Sequence, residues 1–418
     1  MPDRDIPFAL PFIGDEEKAA VLRALDSLWL TTGKEAAAFE NEFAAFLENP
    51  PAAPQTAAVR EAAWEAAPLR AFAVNSATSG LHLALEACGA GPGDTVLLPS
   101  YTFASDAEVV RYLNAEPIFV DTKPGCFHLD PAALEAALDR LSRGLPAWPG
   151  GPAGRPAAVI PVHYAGLPCD MEAITEIARH YGARIIEDAA HSFPSLLPDG
   201  RFAGTLGDVG VFSFYATKTI TTGEGGMVVT RDPEIAVRVK VMRLHGIDRD
   251  VWNRYTDRKS SWYYEVVEPG YKYNLPDILA AIGRVQLKRA WELFAMRKKI
   301  AAKYDGAFRD NPHVIIPPTG PGDARHLYPV RINLTINRDA FIDKLKEKGI
   351  GVSVHFIPLH IMPYYKKRYK LEAEQFPESL KIFRQVISLP IWPGMTDNQI
   401  DRVIDAVGSI AREAARGE

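Results

Sequence analysis

The chain has 418 residues, 47% of them hydrophobic and 24% charged, an ordinary globular composition with length enough for one large domain and a smaller one. Lysine and arginine number 47 against 52 acids, a formal charge of −5 with the signs interspersed, which excludes a general attraction to nucleic acid or an anionic membrane. Cys88, Cys126 and Cys169 stand far apart with no CxxC pair, and no apolar run reaches the ~20 residues that span a bilayer. With a start, Met1-Pro2-Asp3-Arg4-Asp5, that does not read as a targeting segment, the expectation is a cytoplasmic protein without disulfides or a metal site.

In chain order, short β-rich runs at 72–75, 95–98, 117–120, 157–162, 184–187, 209–214 and 226–230 alternate with helical patterns, which predicts an α/β fold with a mostly parallel seven-stranded sheet between helices. The Pro- and Ala-rich segment 49–68 and the Pro- and Gly-rich segment 142–156 around Trp148 read as surface excursions. Near residue 275 the pattern changes. Ile278, Ile282 and Val285 recur at helical spacing in a helix expected to continue through Lys288 to Phe294, followed by a smaller α+β region. The division is therefore a large domain over 1–275 and a small one over 276–418. The basic cluster Lys366, Lys367, Arg368 and Lys370 reads as a solvated face.

Ligands of open α/β sheets bind beyond the carboxyl ends of strands, so Asn75, His163, Asp188 and the residues after Phe214 should face one crevice. Asn75-Ser76-Ala77-Thr78-Ser79-Gly80 starts a helix with hydroxyls, which suits either simple capping or a phosphate. Ile185-Ile186-Glu187-Asp188 carries an acid to a strand end, where a protonated ring nitrogen, an arginine or a metal would each serve as its partner. Lys218, just past a strand and before Thr221-Thr222-Gly223-Glu224-Gly225-Gly226, is placed as a Schiff-base nucleophile or as a solvated loop lysine. Together the three supply the handles that pyridoxal phosphate requires, for its phosphate, its ring nitrogen and its aldehyde.

In these runs the chain resembles the DegT/StrS-type nucleotide-sugar aminotransferases, pyridoxal phosphate enzymes of fold type I. The resemblance extends to Trp29-Leu30-Thr31-Thr32-Gly33-Lys34, Pro99-Ser100-Tyr101-Thr102-Phe103, Pro161-Val162-His163-Tyr164, Gly270-Tyr271-Lys272-Tyr273-Asn274-Leu275, Val354-His355-Phe356-Ile357-Pro358-Leu359-His360 and Ser388-Leu389-Pro390. Family members commonly carry Gly-Pro where this chain has Gly33-Lys34.

The resemblance implies that Lys218 holds the cofactor covalently, that Asp188 pairs with the pyridine nitrogen and that Phe103 stacks on the ring. It implies phosphate contacts from Thr78, Ser79 and Ser213, with Asn274 donated by the other subunit of a homodimer, and a place for His191 beside the ring hydroxyl. His355, His360 and His163 are expected on the substrate side. The implied reaction moves an amino group from L-glutamate to a keto group of a nucleotide-linked sugar, such as a 4-keto-6-deoxyhexose, for a surface polysaccharide. A lysine in place of the histidine of related sugar dehydratases favours transamination. The alternatives are an aminotransferase for a cyclitol or other non-nucleotide ketone, and a cofactor-binding regulator without turnover. The chain has no GxGxxG after the first strand, no GxSxG, no P-loop and no HExxH that would favour a dehydrogenase or hydrolase. Arg243 and Arg331 are candidates for the donor's carboxylate.

Overall fold

All seven predicted strands form, and they join in one sheet. The computed structural model describes residues 5–50, 67–248, 263–320 and 322–416, so the excursion expected at 49–68 lies almost wholly outside the described residues. Strands β1 (Arg70–Val74), β2 (Asp94–Pro99), β3 (Glu116–Val120), β4 (Arg155–Val159), β5 (Arg184–Asp188), β6 (Val209–Ser213) and β7 (Gly226–Thr230) lie in the order β1-β7-β6-β5-β4-β2-β3. Only β7 runs against its neighbours. The carboxyl ends of the other six and the start of β7 therefore share one edge of the sheet.

Helices cover both faces, which is why every residue of β2, β6 and β7 is buried. The helix Ala77–Ala87 lies close on one face because Gly80 has no side chain; a Cβ there would stand 2.8 Å from Val211 Cγ1. On the other face Phe39 and Phe43 of the helix Lys34–Glu48 pack with Phe212, Phe214 and Met227. That helix begins at Gly33, where the side chain of Asp277 accepts the N–H groups of Gly33, Ala36 and Glu35 at 2.7, 3.0 and 3.2 Å. Three donors that a helix start leaves open are thus satisfied from another helix.

The single helix expected from 278 through Phe294 is two, Asp277–Lys288 and Ala290–Phe308, because Arg289 (φ −96°, ψ 4°) leaves helical geometry between them. Packing crosses residue 275 in both directions. Leu275, Ala280, Leu287 and Leu293 join the core of the large layer, while Ile6 bridges Ile350 and is buried in the small one. The small layer is an antiparallel sheet of β8 (Val314–Ile315), β9 (Tyr328–Ile332) and β10 (Val386–Leu389) in the order β10-β9-β8. The segment 142–156 is anchored at its centre: Trp148 is buried and its Nε1 donates to the Tyr369 carbonyl at 3.4 Å. In the helix Pro363–Tyr369, Tyr365 and Tyr369 face inward while Lys366 and Lys367 are exposed, so the basic cluster is a solvated face.

Candidate active site

At the shared edge of the sheet a cavity of about 600 Å³ opens between the two layers. Thr78, Phe103, Asp188, His191, Ser213, Lys218 and His355 all line it. Lys218 arrives there because the chain turns tightly after β6, its N–H donating to the Tyr215 carbonyl at 2.9 Å, and returns to β7 through a Phe214 N–H bond to the Gly225 carbonyl of 2.9 Å. Burial of the amine holds its pKa down to about 8, with the Asp188 charge pulling it up and the Arg297 charge pushing it down. The cavity therefore leaves roughly a tenth of this lysine uncharged at pH 7, far more than an ordinary lysine with a pKa of about 10.4.

Asp188 ends β5 with 6% of its surface exposed, and Oδ1 accepts the Ala190 N–H at 2.9 Å. Burial raises its proton affinity, opposed by that N–H and by the Lys218 charge. A carboxylate in this position is best matched by a cation supplied from the cavity. His191 is held far below its ordinary pKa, first by burial and then by Lys218, and its Nδ1 accepts the Ala165 N–H at 3.3 Å. The neutral ring thus carries its hydrogen on Nε2. Phe103 is 57% exposed, a large apolar face presented to the cavity, with the Phe356 ring centroid 5.7 Å away.

The helix start is capped by its own hydroxyls. The Ser76 hydroxyl accepts the Ser79 N–H at 3.1 Å, and the Ser79 hydroxyl donates to the Ser76 carbonyl at 2.7 Å, a cap that turns the Ser79 side chain away from the cavity wall. Thr78 lines the wall together with Ser76 and Ala77. Ser79, expected as a phosphate contact, is buried as the partner of the cap. Gly226 lets β7 start against this turn, since a Cβ there would lie 2.8 Å from the Ala77 nitrogen.

Two expected histidines are elsewhere for the same reason. His163 is wholly buried, accepting the Cys169 N–H on Nδ1 at 3.0 Å and donating from Nε2 to Glu187 at 2.9 Å, and it is not part of the cavity wall. His360 is likewise buried, with Nδ1 2.5 Å from the Ser100 hydroxyl and Nε2 3.1 Å from the Ala373 carbonyl. His355 lines the cavity: its carbonyl accepts the hydroxyls of Tyr101 (2.6 Å) and Tyr164, its Nδ1 faces the Ser388 hydroxyl at 2.9 Å, and burial holds its pKa down to about 4. Asn274 lies in a second cavity, of about 920 Å³, with Thr32, Glu40 and Arg243. Its Nδ2 donates to the Thr32 hydroxyl at 2.5 Å. Arg243 is buried there against Glu40 and the Ala73 carbonyl, and neither it nor Arg331 lines the first cavity.

Sequence reading missed Asp106, His326 and Arg297. Asp106 is wholly buried behind Asp188, with Oδ2 accepting the Thr102 hydroxyl and Oδ1 without a donor. Burial and the neighbouring Asp188 charge raise its proton affinity well above that of an ordinary carboxyl. Its spacing, four residues after Thr102 at a helix start, was the available signal. His326 lines the cavity with its ring centroid 4.6 Å from that of His191, both rings held neutral first by burial and then by Lys218.

The DegT/DnrJ/EryC1/StrS aminotransferase family model matches residues 11–59 and 66–408. The chain belongs to this family. It is a pyridoxal phosphate-dependent aminotransferase. The aminotransferase is 40% identical over 416 residues to the spore coat polysaccharide biosynthesis protein SpsC of Bacillus subtilis, covering 98% of each chain. Its fold matches Spr1654 of Streptococcus pneumoniae in the PMP form with a TM-score of 0.84 and 27% identity over 98% of this chain and 100% of that one. It also matches DesV of S. venezuelae, with a TM-score of 0.79 and 31% identity over 97% of this chain and 99% of that one.

Proposed function

We propose that this aminotransferase moves the amino group of L-glutamate to a keto group on a nucleotide-linked sugar, in the making of a polysaccharide. What carries the reading is the meeting, in one cavity of about 600 Å³, of the Lys218 amine, the Asp188 carboxylate and the Thr78 helix start. The residues present fit the cofactor. Asp188 is a buried carboxylate in need of a cation, Phe103 offers an exposed flat ring, and the first turn at Ala77 and Thr78 points unpaired N–H groups and a positive dipole at the wall.

Bound pyridoxal phosphate supplies an electron-withdrawing ring that spreads the charge left when a proton is removed from the donor's α-carbon. Asp188 would hold a proton on the ring nitrogen, and the Nε2 hydrogen of His191 would face the ring hydroxyl. Thr78 and Ser213 would hold the phosphate. The neutral Nζ of Lys218 would take the α-proton and return it at the cofactor's aldehyde carbon, a transfer suited to an amine whose pKa lies near the working pH. Neutral His355 and His326 would line the substrate side.

Among the described residues the cavity wall holds no arginine. We assign the remaining phosphate contact to Asn274 of a second copy, since that side chain is absent from its own chain's cavity. The sugar assignment rests on the relatives: SpsC by its name serves spore coat polysaccharide biosynthesis, and DesI has been solved with its TDP-sugar product. The test is incubation with 15N-labelled L-glutamate and a nucleoside diphosphate 4-keto-6-deoxyhexose. The label should appear as an amine on the sugar nucleotide; transfer only to a keto-cyclitol would replace this assignment.

A further inference from the structure

Resting on the reading of Lys218 as the covalent site, we propose that Arg297 is a positioning residue for it, a buried guanidinium that fixes the lysine's turn and disfavours the charged form of its amine. Arg297 lies in the helix Ala290–Phe308 with 2% of its surface exposed. Its Nη1 donates to the carbonyls of Ile391 at 2.8 Å and His326 at 3.0 Å, and its Nη2 to the carbonyl of Thr217 at 3.2 Å. Nε has no partner, and burial alone lowers the proton affinity of the guanidinium, with no neighbouring carboxylate among the described residues offsetting it.

Buried cations are ordinarily paired with an anion, because leaving water costs several kcal/mol per ion. Here carbonyl dipoles take that part, and they come from three separate segments. Thr217 immediately precedes Lys218, His326 leads into β9 and Ile391 follows β10, so one side chain ties the lysine's turn to the small sheet. A planar fork of donors suits that task better than a point charge.

The same placement has an electrostatic consequence. The groups acting on the Lys218 amine are Asp188, which favours its charged form, and Arg297, which opposes it. Glu224 and Tyr215 line the same cavity; His191, His326 and His355 also face the amine, and these three rings are held neutral near pH 7. Arg297 stays charged at that pH and is the permanent positive charge set against protonation of Lys218.

The test is competitive labelling of cofactor-free protein with trace acetic anhydride between about pH 6 and 11, reading the Lys218 peptide by mass spectrometry against the other lysines. In the parent, Lys218 should titrate near 8. In Arg297→Met the midpoint should rise by about 0.5–1 unit, lowering the reactive fraction at pH 7 by about threefold to tenfold. Arg297→Lys, which keeps the charge and loses the fork, should hold the parent midpoint while the amide hydrogens of residues 217–220 exchange faster. Should Arg297→Met not fold, Arg297→Gln serves in its place. A folded neutral variant with the parent midpoint, or an Arg297→Lys variant with unchanged exchange, would overturn the proposal. Borohydride trapping of pyridoxal phosphate on the parent is scored separately, so a wrong assignment of the covalent lysine is not confused with a silent Arg297.

Discussion

His191 and His163 sit on two successive turns of one crevice edge, and their fates differ because of what their ring nitrogens touch. His163 spends both nitrogens inside the fold, on the Cys169 N–H and the Glu187 carboxylate. His191 spends one, on the Ala165 N–H, and lines the cavity. Glu187 and Asp188 repeat the contrast one residue apart: Glu187 accepts the N–H groups of Gly204, Leu206 and Gly207 at 2.7, 2.6 and 2.6 Å, whereas Asp188 accepts the single N–H of Ala190. Residue type made candidates of His163, His191 and Asp188 alike; free polar atoms distinguish the residues facing the cavity from those spent inside the fold.

The largest effect that would sharpen this contrast belongs to Lys218→Ala, expected to lower the rate of amino transfer from L-glutamate by about 10³-fold or more while leaving urea unfolding of the cofactor-free protein near the parent's. Retained turnover would break the assignment. Asp188→Asn, which keeps the shape and removes the charge, should cost about 10²–10³-fold in the same assay with little loss of stability. By contrast Glu187→Ala strands the buried Gly204 N–H and His163 Nε2 and the part-buried N–H groups of Leu206 and Gly207, and should destabilise the fold by about 3 kcal/mol or more, read as a fall in the urea midpoint. If Glu187→Ala proved silent in unfolding and severe in catalysis, the division between support and site would be misplaced.

The smallest expected effect concerns the cysteines. Burial pushes Cys88 up to about 12 and raises Cys169 well above an ordinary thiol, and the Cys169 thiol also donates to the Val162 carbonyl at 3.0 Å. For Cys126 burial acts the same way but is outweighed by the His128 ring 3.5 Å from its sulfur, which brings it down to about 7. Its thiolate fraction therefore rises as pH passes through 7, and iodoacetamide should modify Cys126 severalfold faster than the other two at pH 7.5, read by peptide mass spectrometry. His128→Gln should shift the midpoint upward toward that of a free thiol; equal labelling of all three would contradict the contrast.

The strands were legible because a sheet covered on both faces writes itself as short apolar runs, and β7 (Gly226–Thr230) falls where the sequence placed it. The ends were less so: the run expected to 162 leaves the ladder after Val159, and Val162 makes only an isolated bridge to Asp188. Within the site, position after a strand and the family resemblance singled out Lys218 and Asp188 but could not show that Ser79 closes a cap, since Ser76 and Ser79 at the spacing of a capping pair suit cap and phosphate alike. Arg297 had a visible trace, a charged residue among Leu293, Ile300, Ala301 and Tyr304 on the buried face of its helix. Its meaning depends on three carbonyls distant in sequence, which periodicity does not reveal.

The central claim, that Lys218 is the residue joined to the cofactor, is tested most directly by loading the protein with pyridoxal phosphate, reducing with borohydride and mapping the modified peptide. The account predicts a stable adduct on Lys218, diminished when L-glutamate is added before reduction. An adduct on a different lysine, or none in a protein that still transfers amino groups, would contradict it.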